Sequence, residues 1–217
     1  MSDYKLRVKP LTTPKKTPES TQVRDSFETP RYAVELLLPF IPKSVRWWWE
    51  CAAGNKRISK VLLASGLGVF SSDLIEKEGV RGINFLSEDC PETPQGIITN
   101  PPFSIKKEFI EKAFQYDIPF AFLINADYSG EQIGWIERGC EKIIPKRRIN
   151  YLTPNIVARV NLEEGTKFTV VDEIPNKLLH GYSSSQFHSM WLTKGFNLGR
   201  TETFVDLPIE WIKEHIL

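Results

Sequence analysis

The chain has 217 residues, 41% apolar and 25% charged, with 28 Lys and Arg against 27 Asp and Glu. That length suits one domain with a real core, and the near-neutral balance gives no global basic signature, so any nucleic-acid surface must be local. No apolar run approaches the roughly 20 residues of a membrane span, and the first ten residues lack the apolar segment of a secretory signal. The three cysteines (Cys51, Cys90, Cys140) have no close pairs, which fits a reducing, cytoplasmic setting and no metal knuckle. The three histidines have no metal-ligand spacing either, so no metal is expected.

Residues 1–26 hold prolines at 10, 14 and 18 and six bases against three acids. With almost no apolar periodicity, they are expected to form a flexible basic tail. An alternative use is an arm that contacts phosphates. The folded domain is expected over 27–217.

Phe27-Glu28-Thr29-Pro30 precedes a helical pattern of Tyr32, Ala33, Leu36 and Leu37. Thr29 suits an N-cap with Pro30 at the first helical position, and Pro39 and Pro42 end the helix. Residues 45–49 are β-branched and aromatic and predict a strand. Glu50-Cys51-Ala52-Ala53-Gly54-Asn55 follows, a small-residue turn that lets a ligand approach the backbone. Ile58, Val61, Leu62 and Ser65 then lie on one helix face, ended by Gly66. Strand, small-residue loop and helix together open a nucleotide-binding βαβ unit.

Residues 68–74 predict a second strand ending in an acid. Asp73 lies 19 residues after Gly54, the spacing at which a carboxylate accepts the ribose hydroxyls of an adenosine-type ligand; the plainer alternative is a helix cap. Residues 82–86 predict a short third strand containing Asn84 and Phe85. Asn84 can accept from an amine without carrying charge, while Phe85 suits either a ligand face or the core.

Residues 96–103 read GIITNPPF. Ile97 and Ile98 predict a buried fourth strand, and Pro101 and Pro102 must end it because neither donates an N–H. Asn100 then offers an amide acceptor at the strand's mouth, beside the flat ring of Phe103. That arrangement suits a planar molecule bearing an amine. Ser104 can cap the next helix, whose buried side is Ile105, Phe109, Ala113 and Phe114. Residues 119–125 are almost wholly apolar, as in a buried parallel strand, and a short helix spans 130–139. A strand pattern within 140–151 contains the basic cluster Lys146-Arg147-Arg148. With Lys106, this cluster is the best local candidate for phosphate contacts. Residues 152–186 are polar and predict an insertion or long loop with one hairpin. Phe187 to Leu192 gives a last strand, and residues 207–217 a terminal helix.

Four ordered elements resemble the S-adenosylmethionine-dependent amino-methyltransferases that act on adenine N6: Phe27-x-Thr-Pro, Glu50-x-Ala-Ala-Gly, Asp73 and Asn100-Pro-Pro-Phe. The last matches the family's catalytic string, Asp/Asn-Pro-Pro-Tyr/Phe/Trp. The resemblance covers roughly residues 27–150. It implies a Rossmann-like α/β fold, doubly wound, with a mostly parallel seven-stranded sheet whose final strand is antiparallel. It implies S-adenosylmethionine as cofactor, bound by Phe27, Thr29, Pro30, Glu50, Ala52, Gly54, Asp73, Asn84, Phe85 and Asn100. In that family the strand-end acid, here Glu50, organises the turn. The implied reaction is methyl transfer to adenine N6 in nucleic acid, DNA before RNA, carried by Asn100, Pro101, Pro102 and Phe103. Target choice would fall to the insertion or to a protein partner.

Two departures stand out. Lys56 replaces the turn's second glycine, and Asn84 replaces an acid. They support an alternative, a non-catalytic cofactor- or nucleic-acid-binding subunit. A protein-glutamine methyltransferase is a lesser alternative, since those enzymes usually carry Tyr where Phe103 stands. A nicotinamide dehydrogenase is disfavoured because no Gly-x-Gly-x-x-Gly occurs.

Overall fold

The computed structural model describes residues 27–153, 156–169, 174–175 and 187–207. The tail expected at 1–26 and the terminal helix expected beyond 207 lie outside the described residues.

Alternating strands and helices build one sheet. Helix α1 (Arg31–Glu35) and a 3-10 turn (Leu38–Phe40) lead into β1 (Trp47–Glu50). Helix α2 (Arg57–Ala64), β2 (Gly68–Asp73), the short β3 (Arg81–Gly82) and β4 (Gly96–Thr99) follow. Then come α3 (Lys106–Phe114), β5 (Phe120–Asn125), α4 (Gly130–Glu137) and β6 (Cys140–Pro145). Helix α5 (Ile156–Glu164), β7 (Ser189–Lys194) and β8 (Glu202–Val205) complete the described chain. The strand order is β3-β2-β1-β4-β5-β7-β6-β8. Strands β1 to β5 are mutually parallel, and β7 is antiparallel to β5 and β6.

The sheet buries both faces, as a doubly wound sheet must. On one side Trp48, Ile98, Leu123 and Trp191 pack with Leu37 and Leu62 from α1, its following turn and α2. On the other, Trp49, Ile97, Phe122 and Leu192 pack with Phe109 and Ile110 of α3 and Trp135 of α4. Consecutive Trp48 and Trp49 therefore serve opposite layers, as the two-residue strand period requires. A Cβ added at Gly96 would sit 2.6 Å from the Trp48 ring, across the β1–β4 pairing. Gly96→Ala is expected to cost roughly 1–3 kcal/mol by overpacking. A thermal melt lowered by several degrees checks this, and an unchanged midpoint would show that the ring yields freely.

The structure corrects several sequence expectations. The sheet has eight strands, because β8 adds in parallel to β6 at the edge. It brings Glu202 within 3.6 Å of Lys142, a buried ammonium that also donates to the Asp127 carbonyl at 3.1 Å. A buried charge needs such partners. Thr29 makes no cap hydrogen bond: Pro30 itself is the N-cap, and Thr29 is buried. Strand β3 stops at Gly82, short of the expected 82–86. There Asn84 Oδ1 accepts from Leu86 N at 3.1 Å and turns the chain. Ser104 does not cap α3. It lies inside a 3-10 turn (Phe103–Ile105), and Ile105 is the N-cap. Within the segment expected as an insertion, residues 156–164 form helix α5, and the hairpin expected there is not among the described residues. Ile156 and Val160, one turn apart, bury against Leu152 and Ile174 in a small cluster of their own.

Candidate active site

The carboxyl ends of β1, β2 and β4 surround a cavity of about 470 Å³. This is where the strand order reverses direction between β1 and β4, the place ligands bind in open α/β sheets. The volume falls in the usual range for small-molecule sites, roughly 300–1,000 Å³. Phe27, Thr29, Glu50, Ala52, Gly54, Asp73, Asn84, Phe85 and Asn100 all line it. Pro30 and Pro101 are buried but are not among the lining residues.

Two acids flank the glycine turn and bond differently. Gly54, at φ +50, donates its N–H to Asp73 Oδ2 at 2.8 Å. Asp73 Oδ1 accepts from Ile75 N at 3.3 Å. So Asp73 bonds the turn directly, and it also lines the cavity. Glu50 instead reaches into α2, where its Oε2 accepts from Ser59 N at 2.8 Å and from the Ser59 hydroxyl. Glu50 is 1% exposed. Burial pushes its carboxyl up to about 8, with the Ser59 hydrogen bonds pulling the other way.

Lys56 takes the left-handed conformation that a glycine would hold there, φ 60 and ψ 31. Its side chain leaves the cavity and donates to the Glu78 carbonyl at 2.8 Å. The substitution therefore adds a tether between two loops without obstructing the pocket. Lys56→Gly is expected to change ligand affinity by less than about threefold, since Gly keeps the turn's backbone. Calorimetric titration of both proteins checks it, and a tenfold loss would mean that the tether shapes the cavity.

Asn84 lines the cavity, but its oxygen already accepts from Leu86 N, so it is less open to a ligand amine than expected. Phe85 is both core and wall: it is 2% exposed and packs edge-on to Trp49, centroids 5.0 Å apart.

Asn100 is the distinctive group. Its Nδ2 donates to the Phe27 carbonyl at 3.2 Å, while Oδ1 is buried without any hydrogen-bond partner. An orphan buried acceptor costs about 1–3 kcal/mol and points to a missing donor. Pro102 joins it on the wall. Phe103, expected to present a stacking face at the site, is not among the residues that line the cavity. Its ring is half-buried, edge-on to Tyr151 and Phe187 with centroids 6.0 and 5.2 Å away. Tyr151 is fixed by donating to Ser189 Oγ at 2.9 Å, so uncovering Phe103 falls to Phe187.

The basic candidates divide. Lys106 is half-buried and donates to Asn125 Oδ1, so it braces the mouth of β5 instead of presenting a phosphate contact. Lys146 pairs with Asp206 at 2.8 Å, both exposed. Arg147 and Arg148 are exposed just past β6. Because β6 runs parallel to β5 through the shared neighbour β7, they stand at the cavity's end of the sheet.

Sequence reasoning missed Glu28, Asn55 and Arg57, which line the cavity and bond to one another. It also missed the exposed Leu74 and Ile75 beside Asp73. Two apolar residues directly after a strand-end acid were the available signal. Among the described residues, no cluster of His, Cys, Asp and Glu could hold a metal, and no helix is long and apolar enough to cross a membrane.

Fold and cavity together define a doubly wound α/β protein with a small-molecule-sized cavity at the sheet's switch point. The fold is shared with a type I restriction-modification system methyltransferase subunit from Streptococcus thermophilus, at TM-score 0.53 and 11% identity over 87% of this chain. The chain spans 52% of that subunit. Weaker likenesses include the plantazolicin methyltransferase BpumL in complex with SAH, at TM-score 0.41 and 10% identity, over 82% of this chain and 85% of that one. A Burkholderia thailandensis 1,6-didemethyltoxoflavin-N1-methyltransferase has TM-score 0.36 and 14% identity, over 75% of each chain. No family profile and no curated protein sequence matches.

Proposed function

We propose that the chain is an S-adenosylmethionine-dependent methyltransferase acting on the exocyclic N6 of adenine in nucleic acid, DNA before RNA. The observation that carries this reading is the orphan Asn100 Oδ1, buried beside a cavity that Gly54 and Asp73 also line. The residues present fit the cofactor. Asp73 has lone pairs for ribose hydroxyls, Phe85 gives an apolar wall, and Phe27 and Thr29 close the far side. When bound, S-adenosylmethionine supplies a methyl group on a sulfonium.

An aromatic amine is a poor nucleophile because its lone pair is delocalised into the ring. Asn100 Oδ1 and the Pro101 carbonyl would accept its two hydrogens, favouring the pyramidal form. These acceptors gain strength as positive charge develops on nitrogen, so they stabilise the transition state. Phe103 would stack on the extruded base once Phe187 moves, worth on the order of 1–3 kcal/mol per base. Arg147 and Arg148 would meet the phosphates.

The test is incubation with plasmid DNA and with total RNA in the presence of the cofactor, followed by nucleoside mass spectrometry. N6-methyladenine in either polymer supports the reading. Methyl transfer to other substrates only, or none, defeats it. The edge-on packing of Phe103 against Tyr151 and Phe187 favours a second reading, a binding subunit without turnover. Cofactor binding by calorimetry with no methylated product selects that one.

A further inference from the structure

We propose that Glu28 is a positioning residue that sets the orientation of the Asn100 carboxamide beside the cavity; this rests on the reading of Asn100 above. A carboxamide has a donor end and an acceptor end of nearly equal shape, so its neighbours decide its orientation. Here the deciding neighbour is the Phe27 carbonyl, which accepts from Nδ2 and so leaves Oδ1 as the buried, unpartnered end. Flipping the amide would set two acceptors against each other and put a donor where Oδ1 now lies, and a donor could not accept an amine hydrogen.

The Phe27 carbonyl lies on a short segment outside the helices and strands, so something else must hold it. Glu28 does so on three sides. Its backbone exchanges two hydrogen bonds with Leu152, at 2.9 and 3.0 Å. Its Oε2 accepts from Arg57 Nε at 2.8 Å, with both side chains less than one-fifth exposed. Its Oε1 accepts from Asn55 Nδ2. Asn55 and Arg57 flank Lys56 in the turn that carries Gly54. Charge-assisted bonds of this kind are shorter and stronger than neutral ones. Glu28 thus couples the ligand-binding turn to the carboxamide, and a bound ligand that orders the turn also fixes Asn100.

The test compares wild type, Glu28→Ala and Glu28→Gln. Glu28→Ala is expected to lower kcat at least about tenfold per folded molecule, with a smaller rise in cofactor KM. Glu28→Gln keeps an acceptor for Arg57, and Asn55 can flip to pair with its amide. It should return kcat to within about threefold of wild type. A second measurement does not depend on turnover. The Asn100 side-chain NH₂ signal, assigned by its loss in Asn100→Asp, should move and exchange faster in Glu28→Ala. If kcat stays within about twofold and the Asn100 signal is unmoved, the proposal is wrong, whatever the thermal midpoint does. If wild type transfers no methyl group, the functional reading fails, and the Asn100 signal alone decides the positioning role.

Discussion

Asn100→Ala is expected to abolish methyl transfer while leaving cofactor affinity nearly unchanged. The two readouts separate because the side chain meets two ligands differently. In the proposed reading the cofactor would be held by the Gly54 turn, Asp73 and the walls around Phe85, all of which survive the substitution. In the same reading the reacting amine would depend on Asn100 Oδ1, a buried acceptor with no partner in the structure. Loss of one preorganised polar group at a charge-developing atom typically costs about 10²–10³ in rate. Filter-binding transfer of tritiated methyl groups gives the rate, and calorimetry gives the affinity. Retained turnover would remove Asn100 from the mechanism. Asn100→Asp keeps an acceptor at the site and loses the donor to Phe27, so it is expected to retain measurable turnover.

The second large effect concerns stability and pH. The Glu50 carboxyl titrates near 4.5 when exposed and near 8 in the fold, chiefly because burial disfavours its charge. Between those values the folded protein holds a proton that the unfolded chain has released. Stability therefore falls as pH rises across this window. The penalty is absent below about pH 4.5 and complete above about pH 8. A shift of this size corresponds to an upper bound of roughly 5 kcal/mol. Glu50→Gln carries no such charge and should flatten the decline of Tm between pH 5 and 9. Parallel profiles for the two proteins would show that Glu50 is ionised in the fold. Ser59 is the partner whose two bonds limit the shift, so Ser59→Ala is expected to steepen the wild-type decline.

The sequence alone determined the parts of this protein that follow from local rules. The apolar runs at Ile97–Ile98 and 120–124, the glycine turn after Glu50 and the double proline after Asn100 each dictate a strand, a turn or a stop without help from distant residues. That was enough to expect five parallel strands, and nine of the ten residues expected around the cofactor line one cavity. What local rules could not supply was pairing across long sequence distance. Strand β8 is four residues long, and it joins the sheet because its register along β6 satisfies the backbone and sets Glu202 beside the buried Lys142. Phe103 looks like a bare plate in the sequence, and only folding brings Tyr151 and Phe187 against its edges. Glu28 reads as a variable residue inside a motif until Arg57, 29 positions on, meets its carboxylate. Dihedral preference and hydrophobic period act over a few residues, whereas partners for buried charges and ring edges are chosen by the closed chain.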